Sequence, residues 1–109
     1  TKEMGHIDWT KDAVSIERLV RGLNPWPSAY TRLDGKTLKI WRANVLPDEK
    51  KAAPGCIIKA EKGSFLVQTG DGVLELLEVQ LEGKKRMPVA DFLRGFTIGN
   101  GTVLGTKQQ

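Results

Sequence analysis

With 109 residues, 39% of them hydrophobic and 28% charged, the chain has the size and balance of one globular domain with a single modest core. One cysteine and one histidine exclude an internal disulfide and a cysteine-based zinc site, and leave almost nothing from which to build a Ser-His or Cys-His catalytic pair. The net charge of +4 is concentrated near the end: Lys84, Lys85, Arg86, Arg94 and Lys107 face Asp91 alone in residues 84–109, while residues 1–83 balance, which favours an anionic partner such as nucleic acid.

The opening stretch "TKEMGHIDW" lacks the apolar run of a signal peptide, and no segment reaches the length of a membrane span. The unpaired Cys56 fits a cytoplasmic location, or an organelle matrix in a eukaryote. Opening on Thr rather than Met, the sequence reads as a piece of a longer polypeptide. Residues 1–9 are expected as an interdomain linker remnant and 10–109 as the domain. His6 falls in that opening segment and reads as structural or incidental.

A helix is predicted from about Thr10 to Arg21. Thr10 caps it, Asp12 suits the positive end of the dipole, and Ile16, Leu19, Val20 and Leu23 form one apolar stripe. Glu17 and Arg21 are four apart on the other side, and Gly22 followed by Pro25 ends the helix. In "RGLNPWPSAY", Pro25 and Pro27 stiffen an extended exit, and Trp26 and Tyr30 are expected to wedge between helix and barrel, with Trp26 substantially buried. Short strands with glycine turns follow. Asp34-Gly35 is a hairpin turn, after which Leu38 and Ile40 alternate with Lys39 and Trp41. "PDEKKAAPG" is a polar loop. Turns at Lys62-Gly63 and Asp71-Gly72 then separate two strands from a long one, Val73 to Leu81. "MPVADFLRGF" predicts one or two helical turns after Pro88, and "TIGNGTVLG" a last pair of strand pieces around Asn100-Gly101. Short strands without intervening helices suggest a small closed barrel rather than a βαβ fold.

"GKT" at Gly35–Thr37 lacks the first glycine of a phosphate loop, and "GNGTVLG" misses the dinucleotide fingerprint; both are turns. Glu75, Glu78 and Glu82 read as a solvated face. Asp8, beside Trp9, is placed to bind nearby backbone. The basic run "GKKR", with Lys36, Lys39, Arg42, Lys59 and Lys62, is the candidate anion-binding set. Lys36 and Arg42 share strand parity and Lys39 does not, so no single strand face holds them all. A barrel can still gather strand ends and turns, and phosphate contacts need only charge and reach.

"GHIDWTKDAVSIERLVRGLNPWPSAYTRLDGKTLKIWRA" resembles the start of the C-terminal domain of the methionyl-tRNA formyltransferase family, through Ile7-Asp8-Trp9 and then Pro25-Trp26-Pro27, Ala29 and Tyr30. "PGCI", "GDGVLEL", "VQLEGKKRMPVADFLRG" and "GTVLG" follow in the matching order, so the likeness runs from about residue 7 to 105. Ser28 stands where the family commonly has glycine. The resemblance implies a mainly β fold: a small open β-barrel like the oligonucleotide-binding fold, with an N-terminal amphipathic helix beside it and a short helix near 88–94. In the family this domain follows a Rossmann-type catalytic domain that transfers formyl from 10-formyltetrahydrofolate to initiator Met-tRNA, and it helps to hold the tRNA on a basic surface. The partners implied are therefore initiator Met-tRNA and the N-terminal catalytic domain of the same polypeptide, without membrane or metal. No catalytic residue and no cofactor fall to this domain. RNA contacts are expected first from Lys84, Lys85 and Arg86, then from Lys36, Lys39, Arg42 and Lys59. Structural roles are expected for Asp8, Trp9, Pro25, Trp26, Pro27 and Tyr30. A second reading makes the chain the auxiliary packing domain of a small-molecule formyltransferase or formyl-folate hydrolase. A third, a stand-alone single-strand-binding barrel, is disfavoured by the shortage of aromatic residues.

Overall fold

The computed structural model describes residues 5–23, 28–47, 52–99 and 101–105. In chain order these form helix α1 (Ala13–Leu23), strands β1 (Ala29–Leu33), β2 (Lys36–Leu46), β3 (Ile57–Glu61), β4 (Ser64–Gln68), β5 (Val73–Leu81) and β6 (Met87–Pro88), and helix α2 (Val89–Gly95). The strands make one antiparallel sheet in the order β1-β2-β5-β4-β3, with β6 also pairing with β5. The fold is mainly β, as the sequence indicates.

Two tight turns set the hairpin registers. Asp34-Gly35 and Lys62-Gly63 have positive φ at both residues (51° and 80°, 52° and 78°), the backbone that matches a two-residue loop to strand twist. Leu33 then pairs with Lys36, and Glu61 with Ser64. Alternation buries Ala29 and Leu33, Leu38 and Ile40, Phe65 and Val67, and Leu74, Leu76, Val79 and Leu81 on one side of the sheet. Ile16 and Val20 of α1 and Val89 and Phe92 of α2 complete that core. Phe92 lies parallel to both Phe65 and Phe96, with ring centroids 6.3 and 5.2 Å away.

Helix α1 begins two residues later than a Thr10 cap would place it. Asp12 caps it instead: its backbone carbonyl accepts from the Ile16 N–H (3.1 Å), and its carboxylate accepts from the Ser15 hydroxyl (2.6 Å). Thr10 is held in a turn on Asp8, whose Oδ1 accepts from the Thr10 hydroxyl (2.6 Å) and N–H (3.0 Å). Those two bonds hold the Asp8 carboxyl below its ordinary value. The helix also runs through Gly22 to Leu23, and the Glu17–Arg21 pair is bidentate.

Residues 5–9, expected within a linker, carry two core side chains. Ile7 and Trp9 are buried, the Ile7 N–H donates to the Tyr30 carbonyl (2.9 Å), and the indole N–H of Trp9 donates to the buried Thr31 hydroxyl (2.9 Å). Strand pairing leaves β1 and β3 as the sheet's two edges, so the closed barrel expected from the short strands is corrected to an open sheet. Residues 102–105 bridge them: Ile57 N–H donates to the Thr102 carbonyl (2.8 Å), Leu104 N–H to Gly55 (2.8 Å) and Gly105 N–H to Arg32 (2.9 Å). The expected pair of final strand pieces is thus corrected to one isolated bridge, Cys56 to Val103, among the described residues. The Gly99 carbonyl draws in both the N–H and the hydroxyl of Thr102, which curls the segment before it can extend.

Pro25, Trp26 and Pro27, and with them the expected burial of Trp26, lie outside the described residues. Tyr30 does not wedge between helix and barrel. Ala29, Thr31 and Leu33 take the inward positions of β1, so Tyr30 faces outward with Arg32. Ser28 is buried with φ at 70°, the left-handed region that favours glycine.

Gly70 ties the β4–β5 turn to the start of α1. Its N–H donates to the Lys11 carbonyl (2.9 Å), and a Cβ there would stand 1.9 Å from the Thr10 carbonyl oxygen. Gly70→Ala is expected to destabilise the domain by about 2–3 kcal/mol and lower the melting temperature by roughly 10–20 °C. A melting curve within a degree or two of wild type would contradict the close approach.

Candidate nucleic-acid interface

Residues paired across a sheet point to the same side. Tyr30 pairs with Lys39 and Lys39 with Gln80, so the three form one row on the outward face, with Arg32 and Thr37 in the next. Leu38–Leu81 and Ile40–Val79 are the inward counterparts. Beyond Ile40 the ladder slips. Trp41 and Arg42 together oppose Glu78, and β5 then passes over Leu77 before Leu76 meets Ala43. The slips offset each other, so Leu74 and Leu76 stay buried while Arg42 is carried to the outward face beside Glu78. This corrects the parity expectation: Lys39 and Arg42, three apart, share a face because a bulge lies between them.

Lys36 does not share that face: it pairs with the buried Leu33 at one end of the sheet, where its own side chain is exposed. Its neighbour Thr37 donates its N–H to the Glu82 carboxylate (2.8 Å), and the Glu82 N–H donates to the Thr37 carbonyl (2.8 Å), which sets Lys36 beside the turn bearing Lys84 and Lys85. Lys36, Lys39, Arg42, Lys84 and Lys85 are exposed and form no ion pair among the described residues. Between them lies a shallow depression of about 310 Å³ lined by Thr37, Lys39, Gln80, Leu81, Glu82 and Gly83. Lys59 is not part of this group. It reaches the outward face on β3, in the row Lys59–Leu66–Glu75–Asn44, three strands from β2.

Arg86 is placed differently from the two lysines before it. Its guanidinium carbon stands 4.3 Å over the Trp41 ring, and Nη2 donates to Glu78 Oε1 at 2.8 Å. Glu78 is therefore paired as well as partly solvated. The Arg86 hydrogen bond holds its carboxyl below the usual value of 4.5, against partial burial, and the Arg86 and Arg42 charges add to the effect. The same bond raises Arg86.

Trp41, Gln80 and Arg32 escape the sequence reading. The Trp41 indole N–H donates to Gln80 Oε1 (3.0 Å), and Gln80 Nε2 donates to the Lys84 carbonyl (3.1 Å). Arg32 lies 5.8 Å from the Tyr30 ring centroid and donates to the Thr37 hydroxyl (2.8 Å), while His6 stacks on Tyr30 at 5.2 Å. The available signal was Trp41's parity: opposite to Leu38 and Ile40, it places a large aromatic on the polar side. Among the described residues there is no group of three or more His, Cys, Asp or Glu side chains arranged to hold a metal, and no helix is long and apolar enough to cross a membrane.

The sequence matches the family model of the formyl transferase C-terminal domain over residues 1–97. The chain belongs to the formyltransferase C-terminal domain family. Similar curated proteins include the methionyl-tRNA formyltransferase of Agathobacter rectalis, 58% identical over 102 residues, which are 94% of this chain and 33% of that protein. That of Alkaliphilus oremlandii is 45% identical over 105 residues, 96% of this chain and 34% of that protein. The chain thus spans about a third of the length of the curated relatives it matches. Solved structures of HypX from Aquifex aeolicus share the fold of this formyltransferase C-terminal domain. A substituted variant aligns with a TM-score of 0.66 at 22% identity, covering 91% of this chain and 19% of HypX. HypX in complex with tetrahydrofolic acid aligns with a TM-score of 0.66 at 20% identity, covering 99% and 21%.

The Glu78 carboxyl titrates lower when folded, so the pair stabilises the formyltransferase domain fully above Glu78's ordinary value of 4.5 and is lost as pH falls through the folded one. The stability difference between wild type and Glu78→Gln should therefore shrink as pH drops from about 6 to about 3. Urea titrations at several pH values measure it, and a difference that does not change with pH would contradict the pairing.

Proposed function

We propose that this chain is the C-terminal domain of a methionyl-tRNA formyltransferase and that it holds initiator Met-tRNA on the outward face of β1, β2 and β5. The likeness to the Agathobacter rectalis enzyme, 58% over nearly the whole chain, carries the assignment. The grouping of Lys39 and Arg42 on one face, with Lys84 and Lys85 on the adjoining turn and Lys36 exposed at the same end of the sheet, supports the RNA role. Phosphate oxygens would approach these cations and release condensed counterions, giving an affinity that falls with salt and tolerates sequence. Formyl transfer from 10-formyltetrahydrofolate is assigned to the N-terminal catalytic domain of the parent polypeptide, in the cytoplasm or an organelle matrix. This domain's contribution is then orientation: binding energy gathered on the tRNA body holds the acceptor end where the chemistry takes place.

Filter binding of the 109-residue chain to tRNA across a salt series tests the reading. The dissociation constant is expected at about 10⁻⁴–10⁻⁶ M near physiological salt. Replacing Lys39, Lys84 and Lys85 together by alanine should reduce the slope of log affinity against log salt by about 2–3. Undetectable affinity at low salt, or an unchanged slope, would leave the domain with a packing role only.

A further inference from the structure

The turn that carries Lys84 and Lys85 is fastened at both ends to one side chain. At its start, the Trp41 indole N–H donates to Gln80 Oε1 (3.0 Å), and Gln80 Nε2 donates to the Lys84 carbonyl (3.1 Å). Only this orientation of the amide serves both bonds, since the reverse would set N–H against N–H. The Lys84 N–H closes the turn on the Leu81 carbonyl (2.8 Å). At the other end, the Arg86 guanidinium lies on the Trp41 face (4.3 Å) and is anchored on Glu78 (2.8 Å). The indole edge therefore holds one end of the turn and its face holds the other, with Lys85 between them.

Three successive cations on a free turn would repel one another and spread. Here they are gathered before any anion arrives, and Arg86 is used as a fastener. Trp41 can do this because alternation after the inward Ile40 places it outward, on the side of Gln80 and Glu78.

We propose that Trp41 is a positioning residue which, through Gln80 and Arg86, fixes the Lys84–Lys85 turn in a shape matched to the regularly spaced phosphates of a folded RNA. The interface then prefers a structured RNA backbone to a flexible strand that could adapt to any lysine arrangement. This inference rests on the proposal that the turn meets RNA phosphates. Pre-organisation lowers the ordering demand for a rigid ligand and confers little on a flexible one.

The test compares dissociation constants of the 109-residue chain for a folded tRNA and for a single-stranded oligouridylate, each across a salt series. Lys84→Ala with Lys85→Ala should weaken both ligands and reduce the salt slope by up to about 2. Trp41→Ala should weaken tRNA about fivefold to tenfold and leave oligouridylate within about twofold, with the salt slope kept. Gln80→Ala removes only the edge connection and should lower the tRNA preference about twofold to threefold while the melting temperature stays near wild type. Trp41→Phe keeps a face for Arg86 and should fall between Trp41→Ala and wild type. If the lysine variant weakens binding but the Trp41 and Gln80 variants keep the wild-type tRNA preference, the positioning role is overturned while the RNA reading survives. If the lysine variant changes nothing, the turn does not meet phosphates and both fall.

Discussion

Strands β2 and β5 pair from Leu38–Leu81 to Leu46–Val73, and the other elements are attached to that ladder. Strand β1 adds to the free side of β2, while β4 and β6 share the free side of β5. Helix α1 packs against both long strands from the core side. A single uncorrected slip in this ladder would turn the far half of one strand inside out and bring Ala43 to Leu46 out of register with the core. The slip at Trp41 is matched by one at Leu77, so the apolar face stays continuous. The slips add twist, and they leave two neighbouring β2 side chains facing outward where a regular strand would present one.

The sheet's edges are managed by segments that are not strands. Exposed strand edges invite pairing with other chains. Residues 6 and 7 run against β1, and residues 102–105 cross from the start of β3 to β1. The buried bond from Trp9 to Thr31 fastens the first of these segments, and Leu104 enters the core from the second. Both outer stretches of the sequence thus contribute to the stability of the barrel. Their hydrogen bonds satisfy edge groups that would otherwise depend on water.

On the outward face, aromatic rings organise charge. Tyr30 is flanked by His6 and Arg32, and Trp41 lies under Arg86. The carboxylates of the face are engaged as well: Glu82 accepts the Thr37 N–H, and Glu78 accepts Arg86. Lys36, Lys39, Arg42, Lys84 and Lys85 are left to face solvent. Single-strand-binding domains keep aromatic ring faces open for bases. Here guanidinium and imidazole groups already lie against these two rings, which suits contact with a backbone better than contact with unstacked bases.

The elements were largely legible in the sequence because they follow local rules. Period-two alternation marks Val73–Leu81, two-residue turns with glycine mark both hairpins, and a 3.6-residue stripe marks α1. The family was legible because Ile7-Asp8-Trp9 and the later segments occur together and in order. The composition of the basic face could also be read from the charge imbalance around Lys84. Its assembly could not. Parity argued that Lys39 and Arg42 diverge, and only the slipped pairing of β2 with β5 unites them. Arg86 looked equivalent to Lys84 and Lys85 until Trp41 and Glu78, 45 and 8 residues away in sequence, were found beneath and beside it. The helix start moved from Thr10 to Ala13 for a similar reason, since Asp8 had already taken the Thr10 hydroxyl. Sequence alone determined what each short segment would become, because propensity and alternation act between near neighbours. Tertiary structure decided which cations share a surface and which are held, because register and long-range contacts belong to pairs of segments and no single segment encodes them.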